Sequence, residues 1–399
     1  MPTSTLPKGV RVIKFAVPWK EWPSSIKNEL YTIGWICALP VEMTAAMAML
    51  DRIHGNGQPQ IRNSSDSNNY ILGSIGDHNV VIACLPAGDY GTTPAATVAS
   101  QMQSSFSSIR VGLLVGVGGG VPSQQNDVRL GDVVVSTPGH TGGAVVQYDL
   151  GKRLSHGHFS RRGSLNKPPG VVLTAITRLR AEHLTRRSKI AARIDAFLEK
   201  YPESRSIFSH PGPAQDHLYD AVYNHPPRAE TCDNCEKSRV LKREHRQTLD
   251  PVMHYGPIAS GNSVIKDATT RDHLGKELGV LCFEMEAAGL MDNFPCLVVR
   301  GICDYSDSHK NKIWQGYAAL TAAAYIRELL EFLPAKTMEQ LPPVRIRTPL
   351  IGSVFYFILG HTWGSRQSVV LPDGKEYFLP SDSGGGEDGD DGGDDGDGD

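Results

Sequence analysis

The chain has 399 residues, 40% of them apolar: long enough for two or three domains of usual size and apolar enough to bury a core, which excludes a wholly disordered or fibrous chain. Its formal charge of -3 is a cancellation, because residues 382–399 carry nine acids and no base whereas residues 152–246 carry 19 Lys/Arg against 10 Asp/Glu. The N-terminus has no secretory core, the longest apolar run (349–360) is well short of the roughly 20 residues a membrane span needs, and seven scattered cysteines fit reduced thiols, so a cytoplasmic protein without a membrane partner is expected.

In chain order, 31–39 (YTIGWICAL) reads as an apolar strand feeding through Pro40 into a helical pattern at 41–50, the opening of an α/β unit. Residues 70–75 and 79–85 form the arms of a hairpin turning at Gly76-Asp77. In the glycine-rich turn that follows (AGDYGTT), Thr93 is placed to cap a helix starting at Pro94 and running to about Ser105. The run 111–117 (VGLLVGV) is apolar on both faces, as a central strand covered on both sides should be, and 133–136 is another short strand. Residues 152–250 read as a basic excursion with one amphipathic helix near 171–201. Strand signals return at 255–259, 280–283 and 296–303, and a helix at 314–332 closes the core. Alternating strands and helices imply one large α/β domain at 30–334, after an N-terminal extension at 1–29. A linker with a short apolar segment (335–381) follows, then an Asp/Gly tail (382–399) that cannot bury apolar surface and is expected to be disordered.

Several common chemistries are excluded by inspection. Gly116-Val-Gly118-Gly-Gly-Val121 has valine where a dinucleotide fingerprint needs its third glycine, and no Gly-Lys pair is followed by Ser or Thr as a phosphate loop requires. There is no His-Glu zincin pair and no serine with glycine at both -2 and +2. Cys232-x2-Cys235, flanked by His225 and His245, matches no standard zinc-finger spacing and reads as a loop dithiol, so no metal is expected. The basic block lacks interleaved aromatics or a helix-turn-helix pattern, so no nucleic-acid partner is expected.

Three strands, by contrast, deliver acids to their C-terminal ends, where α/β sheets place their ligands. Glu284 and Glu286 follow the strand at 280–283, Asp304 ends the strand at 296–303, and Glu42 follows the strand at 31–39. Such carboxylates form a plausible convergent site.

The stretches IGWICALPVEMTAAMAML, LPAGDYGTTPAA, VGLLVGVGGGVPS, LNKPP, HYGPIASGNSVIKD, FEMEAAGL and VVRGICDYSDSHKNKIWQGYAA, in that order, resemble the nucleoside phosphorylase-I superfamily. That superfamily comprises purine nucleoside and uridine phosphorylases and the methylthioadenosine/adenosylhomocysteine nucleosidases. The chain is especially similar to its fungal branch, found alone or as the N-terminal effector domain of NLR-like proteins. The resemblance implies a three-layer α/β/α sandwich around a central mixed, partly barrelled sheet, no cofactor, and a homo-oligomer acting on a purine nucleoside or nucleotide. It implies that Asp304 protonates the purine at N7 and Glu42 positions the attacking water. It further implies that Glu286 binds the ribose hydroxyls, that Met285 packs under the sugar with Glu284 at its border, that Phe283 and Val264 line the base, and that Gly118, Gly88 and Thr92 border the substrate.

Two departures direct the chemistry. Leu114 and Val117 stand where the purine phosphorylases place a phosphate-holding Arg and Ser, and apolar side chains cannot neutralise a phosphate dianion, so hydrolysis is expected rather than phosphorolysis. Val264 stands where the bacterial nucleosidases stack an aromatic on adenine. The basic block, finally, is a candidate holder of a 5'-phosphate tail, which would extend the substrates to adenine nucleotides such as ATP.

Overall fold

The computed structural model describes residues 27–54, 65–139, 143–155, 158–227 and 231–344, together with two short strands beyond them. Most of the N-terminal extension, the apolar segment at 349–360 and the acidic tail lie outside the described residues. The chain divides into two units, Met1–Ile346 and Arg347–Asp399.

The first unit runs β1 (Ile33–Cys37), α1 (Pro40–Ala48), β2 (Arg52–Ile53), β3 (Tyr70–Ile75), β4 (His78–Cys84), α2 (Thr92–Ser105), β5 (Val111–Gly120), β6 (Val133–Ser136) and β7 (Val145–Gln147). A small hairpin, β8 (Gly151–Arg153) and β9 (Phe159–Arg161), leads to α3 (Gly170–His183), α4 (Ile190–Lys200) and α5 (Arg205–Phe208). Then come β10 (Met253–Gly256), β11 (Ile258–Ser260), α6 (Ala268–Leu278), β12 (Cys282–Glu284), β13 (Cys296–Asp304), α7 (Gln315–Leu330) and α8 (Ala335–Gln340). In the second unit β14 (Ser368–Val370) and β15 (Glu376–Phe378) form an antiparallel pair.

The central sheet is ordered β10-β6-β13-β5-β1-β4-β3-β2, with β12, β11 and β7 branching from β5. It is mixed: β1, β4, β5 and β13 are parallel, whereas β6 and β12 run antiparallel to β13 and β5. Alternation along the strands sorts side chains into two cores. Ile33, Trp35 and Cys37 of β1 and Val111, Leu113 and Val115 of β5 face α1, α3, α4 and α7. Ile36 and Leu114 face α2 and the segment around Leu290 and Phe294. Helices therefore cover both faces, giving the three layers.

Three local readings change. The glycines at 116–120 lie inside β5, which continues past Val117 to pair with β12. The one helix expected near 171–201 is two, α3 and α4, and Val172, Ile176 and Leu179 of α3 with Ile194 and Phe197 of α4 join the α7 core. Helix α2 starts at Thr92, so Thr93 lies within it, and the cap comes from afar: Asn262 Oδ1 accepts from the Thr92 N–H at 3.0 Å.

Candidate active site

The C-terminal ends of β1, β12 and β13 and the glycine-rich half of β5 meet at one place. Glu42 occupies the third position of α1, where it reaches back to the start of its helix, a common terminus device that also favours an acid by the helix dipole. Its carboxylate does more than cap. Oε2 accepts from the N–H groups of Ala38 (2.7 Å) and Leu39 (3.0 Å), and Oε1 accepts from Val117 N–H on β5 (2.8 Å). A carboxylate has about four acceptor positions, so one on Oε1 stays open. Burial raises the pKa of Glu42, with Arg300 and the three amides opposing.

Arg300 lies in the middle of β13, only 1% exposed. Its Nη2 donates to Glu284 Oε2 and, at 3.1 Å, to Glu286 Oε2. A guanidinium in a wholly buried strand is tolerable only when paired, and its carboxylates outweigh burial and raise its own pKa. Glu284 is taken up by this role: besides Arg300, it accepts from the N–H groups of Glu286 (3.1 Å) and Ala287 (3.1 Å), fixing the turn after β12. Glu286 keeps more freedom. Burial first, then the neighbouring Glu284 and Glu42, push its pKa up to about 7 against the pull of Arg300.

Asp304 ends β13, buried beneath the loop that follows. Oδ1 accepts from Ser306 N–H (2.9 Å), and Lys310 Nζ lies 2.9 Å from Oδ2. Burial would lower the Lys310 ammonium, but Asp304, helped by Cys303, outweighs it and the pKa rises. Ser306 has φ 51°, a left-handed conformation uncommon for serine and held here by the crowded turn. Two glycines make room. A Cβ on Gly116 would come within 2.4 Å of Glu42 Oε1, and one on Gly119 within 2.8 Å of Asp304 Oδ1 and 2.0 Å of Ser306 Oγ.

The rim holds the other expected residues. Phe283 packs edge-on against Tyr148 at 5.6 Å, and Tyr148 hydroxyl donates to Ser263 O at 2.5 Å. Gly118 backs onto Phe283 O and the Arg300 stem. Thr92 and Met285 come together around Asn262, whose own N–H donates to Asp149 Oδ2 at 2.7 Å. Gly88 is exposed at φ 91° in the turn before α2, and Val264 is 50% exposed on the loop after β11. Leu114 is fully buried in the α2-side core, and Val117 meets the site through its backbone. The residues missed at the sequence level are Arg300, Lys310 and Asn262. Arg300 alone had a signal: a charge inside an otherwise apolar strand.

An α/β/α sandwich with carboxylates at the ends of three strands and a buried arginine among them defines the class. The family described as the phosphorylase superfamily matches residues 32–333, and the chain belongs to it. A nucleotide-binding leucine-rich repeat (NLR)-like protein of Hyaloscypha variabilis is 46% identical over 325 residues, covering 82% of this chain and 32% of its own length. The chain thus spans about a third of that relative. The 5'-methylthioadenosine/S-adenosylhomocysteine nucleosidase of Mycobacterium tuberculosis is 24% identical over 316 residues, covering 77% of this chain and 98% of the enzyme. Among solved structures, the nucleosidase of the same name from Neisseria meningitidis, bound to methylthio-immucillin-A, aligns with a TM-score of 0.48 at 15% identity, covering 76% of this chain and 99% of that one.

Proposed function

We propose that the protein is a purine N-ribosyl hydrolase that releases the base from adenine-type nucleosides. The observation that carries this reading is Glu42: a buried carboxylate locked by three backbone amides, with one acceptor position open. Breaking the C–N bond leaves an oxocarbenium-like sugar and a base that departs best when protonated. In this reading Glu42 orients the water and takes its proton, and Glu286 accepts from the ribose hydroxyls. Asp304 delivers a proton to N7, and Lys310 is the group with which it shares that proton. Arg300 holds Glu284 and Glu286 in place and offsets the buried negative charge. Water is favoured over phosphate as the nucleophile because Leu114 and Val117 present no cation, and Arg300 is already engaged by two carboxylates.

The same reading extends to nucleotides through two cations. Lys152 and Arg153 sit exposed on the β8–β9 hairpin, which begins three residues after Tyr148, and carry no ion pair among the described residues. Such cations suit a 5'-phosphate tail reaching past the rim.

Incubating the purified protein with adenosine, methylthioadenosine, AMP and ATP, with and without inorganic phosphate, and following free base by chromatography tests the reading. Base release independent of phosphate is expected; release that needs phosphate would replace the hydrolase with a phosphorylase, and no release from any substrate would leave a binding module. Lys152→Ala/Arg153→Ala is expected to raise KM for ATP while leaving adenosine unchanged.

A further inference from the structure

Among the described residues of 209–252, between α5 and β10, there are only single turns of helix and an isolated bridge, so something other than regular structure must fix this long loop. Within it Cys232 opens a one-turn 3-10 helix, and Cys235 N–H closes the turn on Cys232 O at 3.0 Å. That turn brings both sulfurs to the same side, and a ring nitrogen of His225 joins them: the three ligand atoms all lie within 4.8 Å of one another. In tetrahedral zinc sites, metal–ligand bonds of about 2.0–2.3 Å place neighbouring ligand atoms roughly 3.5–3.8 Å apart, so only a small contraction separates this cluster from coordination.

A second observation points the same way. His309, 6% exposed, lies against the cluster, its ring edge-on to His225 at 5.4 Å and stacked on Tyr219 at 3.9 Å. Both of its ring nitrogens are buried without a hydrogen-bond partner among the described residues, the nearest acid being Asp307, whose Oδ1 lies 4.0 Å from Nδ1. A native protein pairs nearly all such groups, and an orphan costs about 1–3 kcal/mol. His225 is also poorly served as a free imidazole. Its two nitrogens face the carbonyl oxygens of Pro226 (3.2 Å) and Thr231 (3.1 Å), whereas a neutral ring has a single N–H to donate.

We propose that His225, Cys232 and Cys235 bind a zinc ion, with His309 as the fourth ligand. Two thiolates and two imidazoles neutralise the ion and match the soft, tetrahedral preference of zinc. All four positions come from protein, so the site is structural. It ties the loop to the acid: His225 N–H donates to Ser308 Oγ at 2.9 Å, and Cys232 Sγ reaches His309 O at 3.7 Å. The next residue, Lys310, touches Asp304. The spacing that matched no finger did so because its fourth ligand comes from the far side of β13. His309 and His245 both lie outside the three-atom cluster, and it is the ring contact with His225 that singles out His309.

The test is metal content of the full chain, purified under reducing conditions, incubated with zinc and dialysed. One zinc per chain is expected, lost in Cys232→Ser/Cys235→Ser and kept in Cys84→Ser. Because the double variant could fail to fold, the wild-type chain is also loaded with cobalt. Visible bands of tetrahedral cobalt with thiolate charge transfer are expected, and His309→Gln should shift them. A wild-type chain that retains no zinc and shows no such bands, or a Cys232–Cys235 disulfide under the same conditions, would overturn the site; a cobalt spectrum unchanged in His309→Gln would overturn His309 as ligand.

Discussion

The basic block and the candidate site use charge differently. The basic block at 152–246 looks in the sequence like a cationic surface, yet several of its arginines answer acids elsewhere in the chain. Arg161 pairs with Glu277, Arg187 with Asp250, Arg193 with Glu331, and Arg246 with Asp132. These pairs dock the block onto the α/β body. The site reverses the pattern, gathering three carboxylates around one arginine out of water. Exposed pairs contribute little individually, whereas an unpaired charge in the interior is costly. The lesson is that a charge count locates a docking surface at best, and the chemistry sits where charge is buried and over-determined.

The comparison breaks most severely at Arg300. Arg300→Met leaves Glu42, Glu284 and Glu286 without their counter-charge; a loss of about 3–5 kcal/mol in urea unfolding and no measurable turnover are expected. Next come the two residues assigned to proton movement. Asp304→Asn and Glu42→Gln should each lower kcat by roughly 100- to 10,000-fold, Glu42→Gln with a further loss of about 1–3 kcal/mol in stability because its NH2 would face a backbone N–H, and a variant with full activity would show that its residue is wrongly assigned.

Glu286 sharpens the contrast by its titration. Its folded value of about 7 lies above the ordinary carboxylate value of 4.5, so the fold binds this proton more tightly than the unfolded chain does. Its contribution to stability is therefore fully present below about 4.5 and fades as pH rises through about 7. For catalysis the sign is opposite, because the ionised form accepts from the sugar hydroxyls. The kcat/KM profile should fall on the acid side with an apparent value near 7, and Glu286→Gln should remove that limb. The smallest effect is expected at the periphery: Glu331→Gln, which releases Lys189 and Arg193, should shift stability by about 1 kcal/mol or less and leave kcat unchanged.

Much of this architecture was legible from pattern. Apolar runs gave β1, β5 and β13, and acids at strand ends gave Glu42, Glu286 and Asp304. What escaped depends on partners distant in sequence. In the sequence β5 reads only to Val117 because glycines carry no strand signal; the reason for glycine at 116 and 119 is the close approach of Glu42 and Asp304. The cap of α2 lies 170 residues away on Asn262. Lys310 follows Asp304 by six residues, and only the tight turn at Ser306 folds it back. Helices α3 and α4 merge into one reading because residues 184–189 between them carry no Gly or Pro to mark the break.

The most direct test of the central claim is to run the reaction in oxygen-18 water and analyse the sugar by mass spectrometry. Hydrolysis through a water held by Glu42 predicts free sugar labelled at the anomeric oxygen, formed at the same rate with or without phosphate. Unlabelled sugar 1-phosphate, formed only when phosphate is present, would contradict it.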